Sequence, residues 1–314
     1  MPLPFQLDHV NIYLIKDVEG WIIFDTGIDD VQTRQAWETL FRGPMKRLPI
    51  TGVIVSHSDP DHIGLAGWLC NRFGTRLFTS LSSYLSCSSV LSSNASACAS
   101  DYQKFYLAHG MSHTSAAIVD GMGHQYSKMV SELPQTFKRI IEGDSIHIGE
   151  LNFVAIFGEG HSPDQVMLYC KSAKVVIVAD QVLPKITPNV SVWSKQPADN
   201  PLSWYLRSVR KLQADIPSDV MVLPGHGVPF YGLHERCQQI IEHHEARCDV
   251  IYKTCQRSAQ SVADLILVLF RPNLDSHQMG FAFGEALAHV NYMLENGRLR
   301  AFDNLHSGHR YVAV

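Results

Sequence analysis

Four residues with metal-binding side chains lie close together in the stretch VIVSHSDPDHIGLAG. These are His57, Asp59, Asp61 and His62. Three residues of the same types each follow a strand-like run later in the chain, namely His161, Asp180 and His226. Hydrolytic metal sites use imidazole nitrogens and carboxylate oxygens and leave one position open for water. A lone histidine after a strand is usually only a polar loop residue, but this combination predicts a metal site.

The elements around these residues predict how they could meet. The apolar run ITGVIVS leads to the four-residue cluster, and the runs DSIHIGELNFVAIFGEG, QVMLYCKSAKVVIVADQVLP and DVMVLPGHGVPF lead to the other three residues. Because the ends of separate strands can converge on one edge of a sheet, we expect the seven side chains to lie together. Upstream, residues 8–24 predict two strands around a turn and residues 29–43 predict a helix. The stretch HIGLAGWLCNRFG predicts a short helix that ends at Gly74.

Residues from about 81 to 140 have the character of an insertion. Their first part, LSSYLSCSSVLSSNASACAS, is rich in serine, but its apolar residues are regularly placed, which predicts a helical or partly mobile segment over residues 81–108. We expect a helical lid that covers a pocket. The contacts that select the substrate would come from this lid, and the sequence does not identify the substrate-binding residues.

The C-terminal part predicts a separate small domain. Residues 233–256 predict a long helix, and the tail from about Ser258 predicts a helix, a second helix and two strands, which is the outline of a winged helix. Ser261 is the expected cap of the first tail helix. Residues 257–314 contain five arginines, which are balanced by five acidic residues. DNA binding would require a basic face, so we expect a role in packing or dimerisation. The predicted domains are residues 1–232 and 233–314.

Composition narrows the class of protein. The net charge is −4, and the 7 cysteines are scattered without a CxxC pair, which is typical of free thiols in a reducing compartment. The N-terminal residues lack the pattern of a signal peptide, so we expect none, and no apolar run approaches the roughly 20 residues of a membrane span. We therefore expect a cytoplasmic protein with a small-molecule substrate and without a nucleic-acid or membrane partner. Formation of a homodimer stays open.

The motifs and their order resemble the metallo-β-lactamase superfamily. The family loop H-x-H-x-D-H is matched by His57, Asp61 and His62, whereas Asp59 replaces its middle histidine. The stretches FDTG, GHSPDQ, VADQ and PGHG are similar to four further motifs of the family. The resemblance covers about residues 8–230, and the long helix and tail are similar to a glyoxalase-II-like branch. It implies an α/β fold: an αββα sandwich of two mixed sheets packed face to face with helices outside, followed by the small winged-helix-like domain.

The same resemblance implies a role for each residue. Two metals would be held by two sets of ligands, with Asp180 bridging both. The first set is His57, Asp59 and His161, and the second set is Asp61, His62 and His226. A hydroxide between the metals would be the nucleophile, and the catalytic residue Asp61 would orient it and relay its proton. The implied activity is that of a metal-dependent hydrolase acting on a small-molecule ester, thioester or lactone.

Asp59 is the departure from the family pattern, and three outcomes are open. Its carboxylate could bind metal directly, could be separated from the metal by water, or could belong to a degenerate site that serves binding or regulation. Direct ligation would shift the preference of the site from zinc toward iron or manganese. We therefore expect one or two divalent ions, which could be zinc, iron or manganese. Two alternative functions follow: an iron-dependent, persulfide-dioxygenase-like oxidoreductase and a catalytically weak metal-binding module.

Overall fold

The computed structural model describes residues 1–92, 95–304 and 308–314. Side chains lie outside the description in four ranges: 93–101, 118–125, 276–277 and 303–307. The chain forms two compact units. The first unit comprises Met1–Ser93, Gln125–Pro188 and Lys211–Arg236. The second unit comprises Asn94–His124, Asn189–Arg210 and Cys237–Val314. The predicted domain boundary after residue 232 stays a prediction.

The first unit contains a mixed five-stranded sheet in the order β1-β2-β3-β4-β5. Its strands are β1 (Tyr13–Lys16), β2 (Trp21–Phe24), β3 (Ile50–Ile54), β4 (Arg76–Thr79) and β5 (Lys138–Arg139). β1 and β2 are antiparallel, and β2 to β5 are parallel. The strands expected within residues 8–24 are therefore present. β5 is formed by the last residues of the segment predicted as an insertion.

A second mixed sheet of the same unit has the order β10-β9-β8-β7-β6. Its strands are β6 (Ser145–Ile148), β7 (Leu151–Gly158), β8 (Gln165–Cys170), β9 (Val175–Ala179) and β10 (Met221–Pro224). β6 to β9 are antiparallel, and β9 pairs with β10 in parallel. The parallel pair brings the ends of β9 and β10 together, because Gly225 N–H donates to the Ala179 carbonyl at 2.7 Å.

The two sheets pack face to face through an apolar layer. Phe24 and Ile54 of the first sheet belong to one buried cluster with Phe153, Leu168 and Ile177 of the second. Alternation of side chains along a strand leaves the other face of the first sheet to a second buried cluster. That cluster includes side chains of α1 (Val31–Arg42), α2 (Pro60–Ile63), α3 (Ala66–Phe73) and α4 (Leu81–Ser92). The predicted α/β fold with two mixed sheets is confirmed.

The helix predicted over HIGLAGWLCNRFG is in fact two helices, α2 and α3, separated by Gly64 and Leu65. The Leu65 N–H donates to the Gly27 carbonyl at 3.1 Å and to Thr26 Oγ1 at 3.0 Å. These contacts with the loop after β2 compete with continuation of the helix. α3 ends at Gly74 in the left-handed conformation, as the sequence predicts.

The remaining elements are mainly helical. In chain order they begin with α5 (Ala95–Ala108), α6 (His113–Met122) and a 3-10 helix over Gly123–Lys128. Later elements are α7 (Pro201–Asp215), α8 (Leu233–Arg257), α9 (Val262–Leu269), α10 (Ser276–Glu295) and the antiparallel strands β11 (Leu299–Asn304) and β12 (Gly308–Ala313).

The C-terminal elements follow the predicted order of a long helix, two further helices and two strands. α8 covers the long helix predicted over residues 233–256. The side chain of Ser261 caps α9 together with Asp264, which confirms the predicted cap. Similarity of the tail to a winged helix stays a prediction.

Hydropathy of the helices bears on membrane association. Within the described ranges, no helix is long and apolar enough to cross a membrane.

Gly67 of α3 gives a test of the packing next to the site. A Cβ at this buried position would overlap the Glu132 carbonyl oxygen, and backbone cannot move as easily as a flexible side chain. We expect Gly67→Ala to lower the free energy of unfolding by about 2–3 kcal/mol in urea titrations. Gly74→Asn is the control, because an added Cβ there has open space and asparagine tolerates the left-handed backbone. Equal stability of the two variants would contradict the close packing.

Candidate metal centre

The loop after β3 places four polar side chains in a short space. His57 and His62 are fully buried, and α2 begins at Pro60, where proline's fixed φ suits the first helical position. Asp59 stands at the N-cap of α2 with extended backbone, φ −64° and ψ 142°. Its side chain makes no capping hydrogen bond to α2. The carboxylate is therefore not used as an ordinary helix cap and is available for another contact.

Asp25, in the loop after β2, orients two of the histidines. Its Oδ2 accepts hydrogen bonds from His62 Nδ1 and from Ser56 Oγ, each at 2.8 Å. Ser56 Oγ in turn accepts from His57 Nδ1 at 2.9 Å. Because the Nδ1 atoms carry the donated protons, Nε2 of each neutral ring is left for a cation. The network fixes both the tautomer and the direction of the two rings.

His226 is oriented in the same way from the N-terminal segment. Its Nδ1 donates to the His9 carbonyl at 2.7 Å, and the Gly227 N–H donates to His9 Nε2 at 3.0 Å. Asn11 Nδ2 also donates to the Gly227 carbonyl at 2.7 Å. The chain before β1 therefore holds the loop after β10, and His226 Nε2 faces the remaining ligands.

The first group of facing atoms contains Asp59. His57 Nε2 and His161 Nε2 lie 3.2 Å apart, and Asp59 Oδ2 is 3.6 Å from each of them. In a tetrahedral shell with bonds of about 2.0–2.2 Å, neighbouring ligand atoms are separated by about 3.3–3.6 Å. The three atoms therefore have the spacing of ligands to one ion. Direct ligation by the short carboxylate of Asp59 stays a prediction.

The second group has similar spacing. Asp61 Oδ2 is 3.2 Å from His226 Nε2 and 3.6 Å from His62 Nε2. Asp180 lies between the groups: Oδ1 is 3.4 Å from His62 Nε2, and Oδ2 is 3.3 Å from His226 Nε2 and 3.9 Å from His161 Nε2. Within the described part of the chain, His62 Nε2 and Asp180 Oδ1 are buried without a hydrogen-bond partner. Such buried polar atoms are costly unless they are compensated, and a cation between them would compensate both. The donor set fits a divalent metal.

The electrostatic field of the site also favours a cation. Burial lowers the pKa of His226, but the carboxylates of Asp180 and Asp61 outweigh it and raise that pKa to about 10. Burial raises the pKa of Asp180, but His62 and His226 outweigh it and hold that pKa well below its ordinary value. The carboxylates therefore stay ionised, and their charge attracts a proton or a metal ion into the same space.

Exposure is uneven around the site. The side chain of Asp59 is 48% exposed, whereas that of Asp180 is 10% exposed and those of His57 and His62 are inaccessible. The group that contains Asp59 is therefore the one that solvent reaches most easily.

The structure brings all seven predicted residues together, and three overlapping groups have metal-like spacing. Ligation of a metal by them stays a prediction, while the ability of these residues to hold a metal ion is a property of the structure. Sequence reasoning missed the residues behind the ligands. The FDTG motif pointed to Asp25 only as a structural feature, and nothing in the pattern identified Ser56 or His9.

Comparisons with known proteins agree with this geometry. Residues 6–226 match the metallo-beta-lactamase superfamily. The chain belongs to that superfamily. Residues 248–314 match the metallo-beta-lactamase-like C-terminal domain, so a distinct C-terminal domain accompanies the metallo-beta-lactamase domain. Membership of the glyoxalase-II-like branch stays a prediction.

Relatives of this superfamily member resemble it over most or all of its length. A beta-lactamase domain protein from Burkholderia ambifaria is 37% identical, with a TM-score of 0.92 over 100% of this chain and 91% of that one. A metallo-beta-lactamase family protein from Thermus thermophilus is 24% identical, with a TM-score of 0.82 over 100% of this chain and 96% of that one. An uncharacterized protein from Aquifex aeolicus is 23% identical over 219 residues, which are 69% of this chain and 84% of that protein.

Gly225 offers a test of the centre that replaces none of the candidate ligands. A Cβ here would overlap Asp180 Oδ1 and approach His62 Cε1 to 2.9 Å. We expect Gly225→Ala to displace these side chains and to reduce metal retained after dialysis by tenfold or more, as measured by elemental analysis. Val228→Ala, in the exposed part of the same loop, should retain metal like the wild type. Full metal content in a folded Gly225→Ala variant would contradict this description of the site.

Proposed function

We propose that this metallo-beta-lactamase superfamily member is a metal-dependent hydrolase that acts on a small-molecule ester, thioester or lactone. The observation that carries the proposal is the pair of candidate ligand groups on either side of Asp180, in which Asp59 and Asp61 each lie 3.2–3.6 Å from two imidazole nitrogens. A partly exposed carboxylate at one side leaves room for water and substrate. These features match the requirements of hydrolysis by a metal centre with an open position.

The seven residues would have the following roles in metal binding. His57, Asp59 and His161 would hold one ion, and Asp61, His62 and His226 would hold the other. Asp180 would contact both. When bound, the ions would polarise the substrate's carbonyl oxygen and lower the pKa of water to roughly 7.

Asp61 is the catalytic residue of the proposal. Burial opposes its ionisation, but His62 outweighs this effect and the pKa of Asp61 lies below its ordinary value. Its side chain is 18% exposed, so the ionised carboxylate is accessible to solvent. From there Asp61 can orient a water molecule by accepting a hydrogen bond from it.

The position of Asp59 supports direct ligation among the three outcomes that the sequence leaves open. Its carboxylate oxygen lies equally far from His57 Nε2 and His161 Nε2, at 3.6 Å, which is the separation of ligands that share one ion. Carboxylate oxygen is a harder ligand than imidazole nitrogen, and three carboxylates would surround the ions. We therefore propose iron or manganese ahead of zinc for the ion next to Asp59.

The experiment combines metal analysis with a substrate panel. Protein purified without chelator is analysed for bound metals and then assayed with esters, thioesters, lactones and phosphodiesters after separate reconstitution with iron, manganese and zinc. Turnover of an ester, thioester or lactone is expected. Absence of turnover with every metal would overturn the proposal. Oxygen consumption with a persulfide substrate, without hydrolysis, would favour the oxidoreductase instead.

Asp59→His tests the proposed metal preference. An imidazole at this position restores the nitrogen ligand of the family loop, so zinc retained relative to manganese should rise several-fold in competition dialysis. Asp215→His is a control at an aspartate of similar exposure in the same unit, away from the ligands. An unchanged zinc-to-manganese ratio in Asp59→His would contradict direct ligation by Asp59.

A further inference from the structure

The segment from Tyr126 to Leu133 lies against the helices that carry the metal loop. The Ser131 N–H donates to the Gly64 carbonyl at 2.7 Å, and the Asp29 N–H donates to the Met129 carbonyl at 2.7 Å. A Cβ at Gly64 would come within 2.7 Å of the Met129 oxygen. The backbones therefore approach closely because glycine has no side chain at this point. This contact fixes the segment relative to α2 and α3.

At the start of this segment, the Tyr126 hydroxyl donates a hydrogen bond to the Ser58 carbonyl. The Tyr126 ring is half-buried and packs on the same apolar cluster as Cys87. Ser58 directly precedes Asp59. Because a peptide unit is planar, a fixed Ser58 carbonyl also fixes the Asp59 nitrogen and Cα.

Hydrogen bonds also fix the loop on both sides of Ser58. Before Ser58, the Ser56 N–H donates to Asp25 Oδ1 at 2.8 Å. After it, the Asp59 carbonyl accepts from the His62 and Ile63 N–H groups at 2.9 and 3.0 Å. The Tyr126 hydroxyl supplies an anchor between these two fixed points.

The hydrogen bond from Tyr126 to the Ser58 carbonyl is important because the side chain of Asp59 is short. Aspartate has two side-chain torsions and little reach, so the position of its carboxylate follows the position of its Cα closely. The carboxylate must stay near 3.6 Å from two imidazole nitrogens on separate loops. We infer that Tyr126 is a positioning residue that holds Asp59 within reach of the metal beside His57 and His161. This inference rests on the proposed metal centre and adds to it a residue that does not contact the ions.

The test compares two tyrosine hydroxyls from the same part of the chain. Tyr126→Phe removes the bond to the Ser58 carbonyl. Tyr84→Phe is the matched control, because Tyr84 Oη donates to the Pro134 carbonyl at 2.7 Å and its ring packs on the same cluster. Metal stoichiometry and dissociation constants are measured by chelator competition with manganese and zinc. Thermal unfolding of the metal-free proteins reports general damage.

We expect Tyr126→Phe to bind one of the two ions about 10–100-fold more weakly, the usual effect of losing a supporting hydrogen bond. The other ion should be bound within about twofold of the wild type, and Tyr84→Phe should leave both unchanged. Asp59→Ala identifies the affected ion, since it should weaken the same one. In the Asp59→Ala background, Tyr126→Phe should have no further effect, because its action passes through Asp59.

Three results would overturn the inference: equal metal binding by the two phenylalanine variants, equal weakening of both ions, or an undiminished effect of Tyr126→Phe in the Asp59→Ala background. The proposed hydrolase activity is tested independently of the role of Tyr126. Wild-type protein that binds metal but turns over no ester, thioester or lactone would overturn that activity and leave the role of Tyr126 standing. Wild-type protein that binds no metal would overturn both.

Discussion

The candidate metal centre depends on the hydrogen bonds that the buried carboxylate of Asp25 accepts. An ionised carboxylate is costly to bury unless hydrogen bonds compensate it, and Asp25 receives them from Ser56 N–H, Ser56 Oγ and His62 Nδ1. Its own N–H donates to the Ile54 carbonyl at the end of β3. Its φ of 63° is a left-handed value that few residues other than glycine adopt. This turn joins the ends of β2 and β3 to α2, and its hydrogen bonds orient the rings of His57 and His62.

The convergence of the seven candidate ligands could be predicted from the sequence because each follows a strand, and strand ends share an edge. His161, Asp180 and His226 are far apart in the chain, yet the apolar runs before them indicated where they would lie. The supporting residues could not be predicted in this way. His9 acts through its backbone carbonyl and through a ring nitrogen that accepts from Gly227, and neither contact has a sequence signature. The break between α2 and α3 was also missed, since it depends on the loop after β2, far upstream in the chain.

The segment predicted as a lid shows a second limit of sequence reasoning. Serine-rich composition and apolar spacing indicate helices, and α4 and α5 are present. The pattern does not indicate that β5 completes the first sheet, because two exposed basic residues carry no strand periodicity. Nor does it indicate that Tyr126 contacts the metal loop. The segment from Met129 to Leu133 approaches the backbone at Gly64 and Gly67 closely, which the absence of a Cβ permits and periodicity does not encode.

There is a physical reason why the chain departs from the family loop at Asp59 and not at His57 or His62. A change at His57 or His62 would remove one hydrogen bond from buried Ser56 Oγ or Asp25 Oδ2, at a cost of about 1 kcal/mol in addition to any loss of metal. Asp59 is 48% exposed and makes no capping hydrogen bond, so replacing its side chain leaves no buried hydrogen-bond partner unpaired. Among the candidate ligands of the loop, Asp59 therefore stands at the position where nitrogen can be exchanged for oxygen with little loss of stability. The constraint that remains is reach, because a shorter side chain requires a backbone that is held in place.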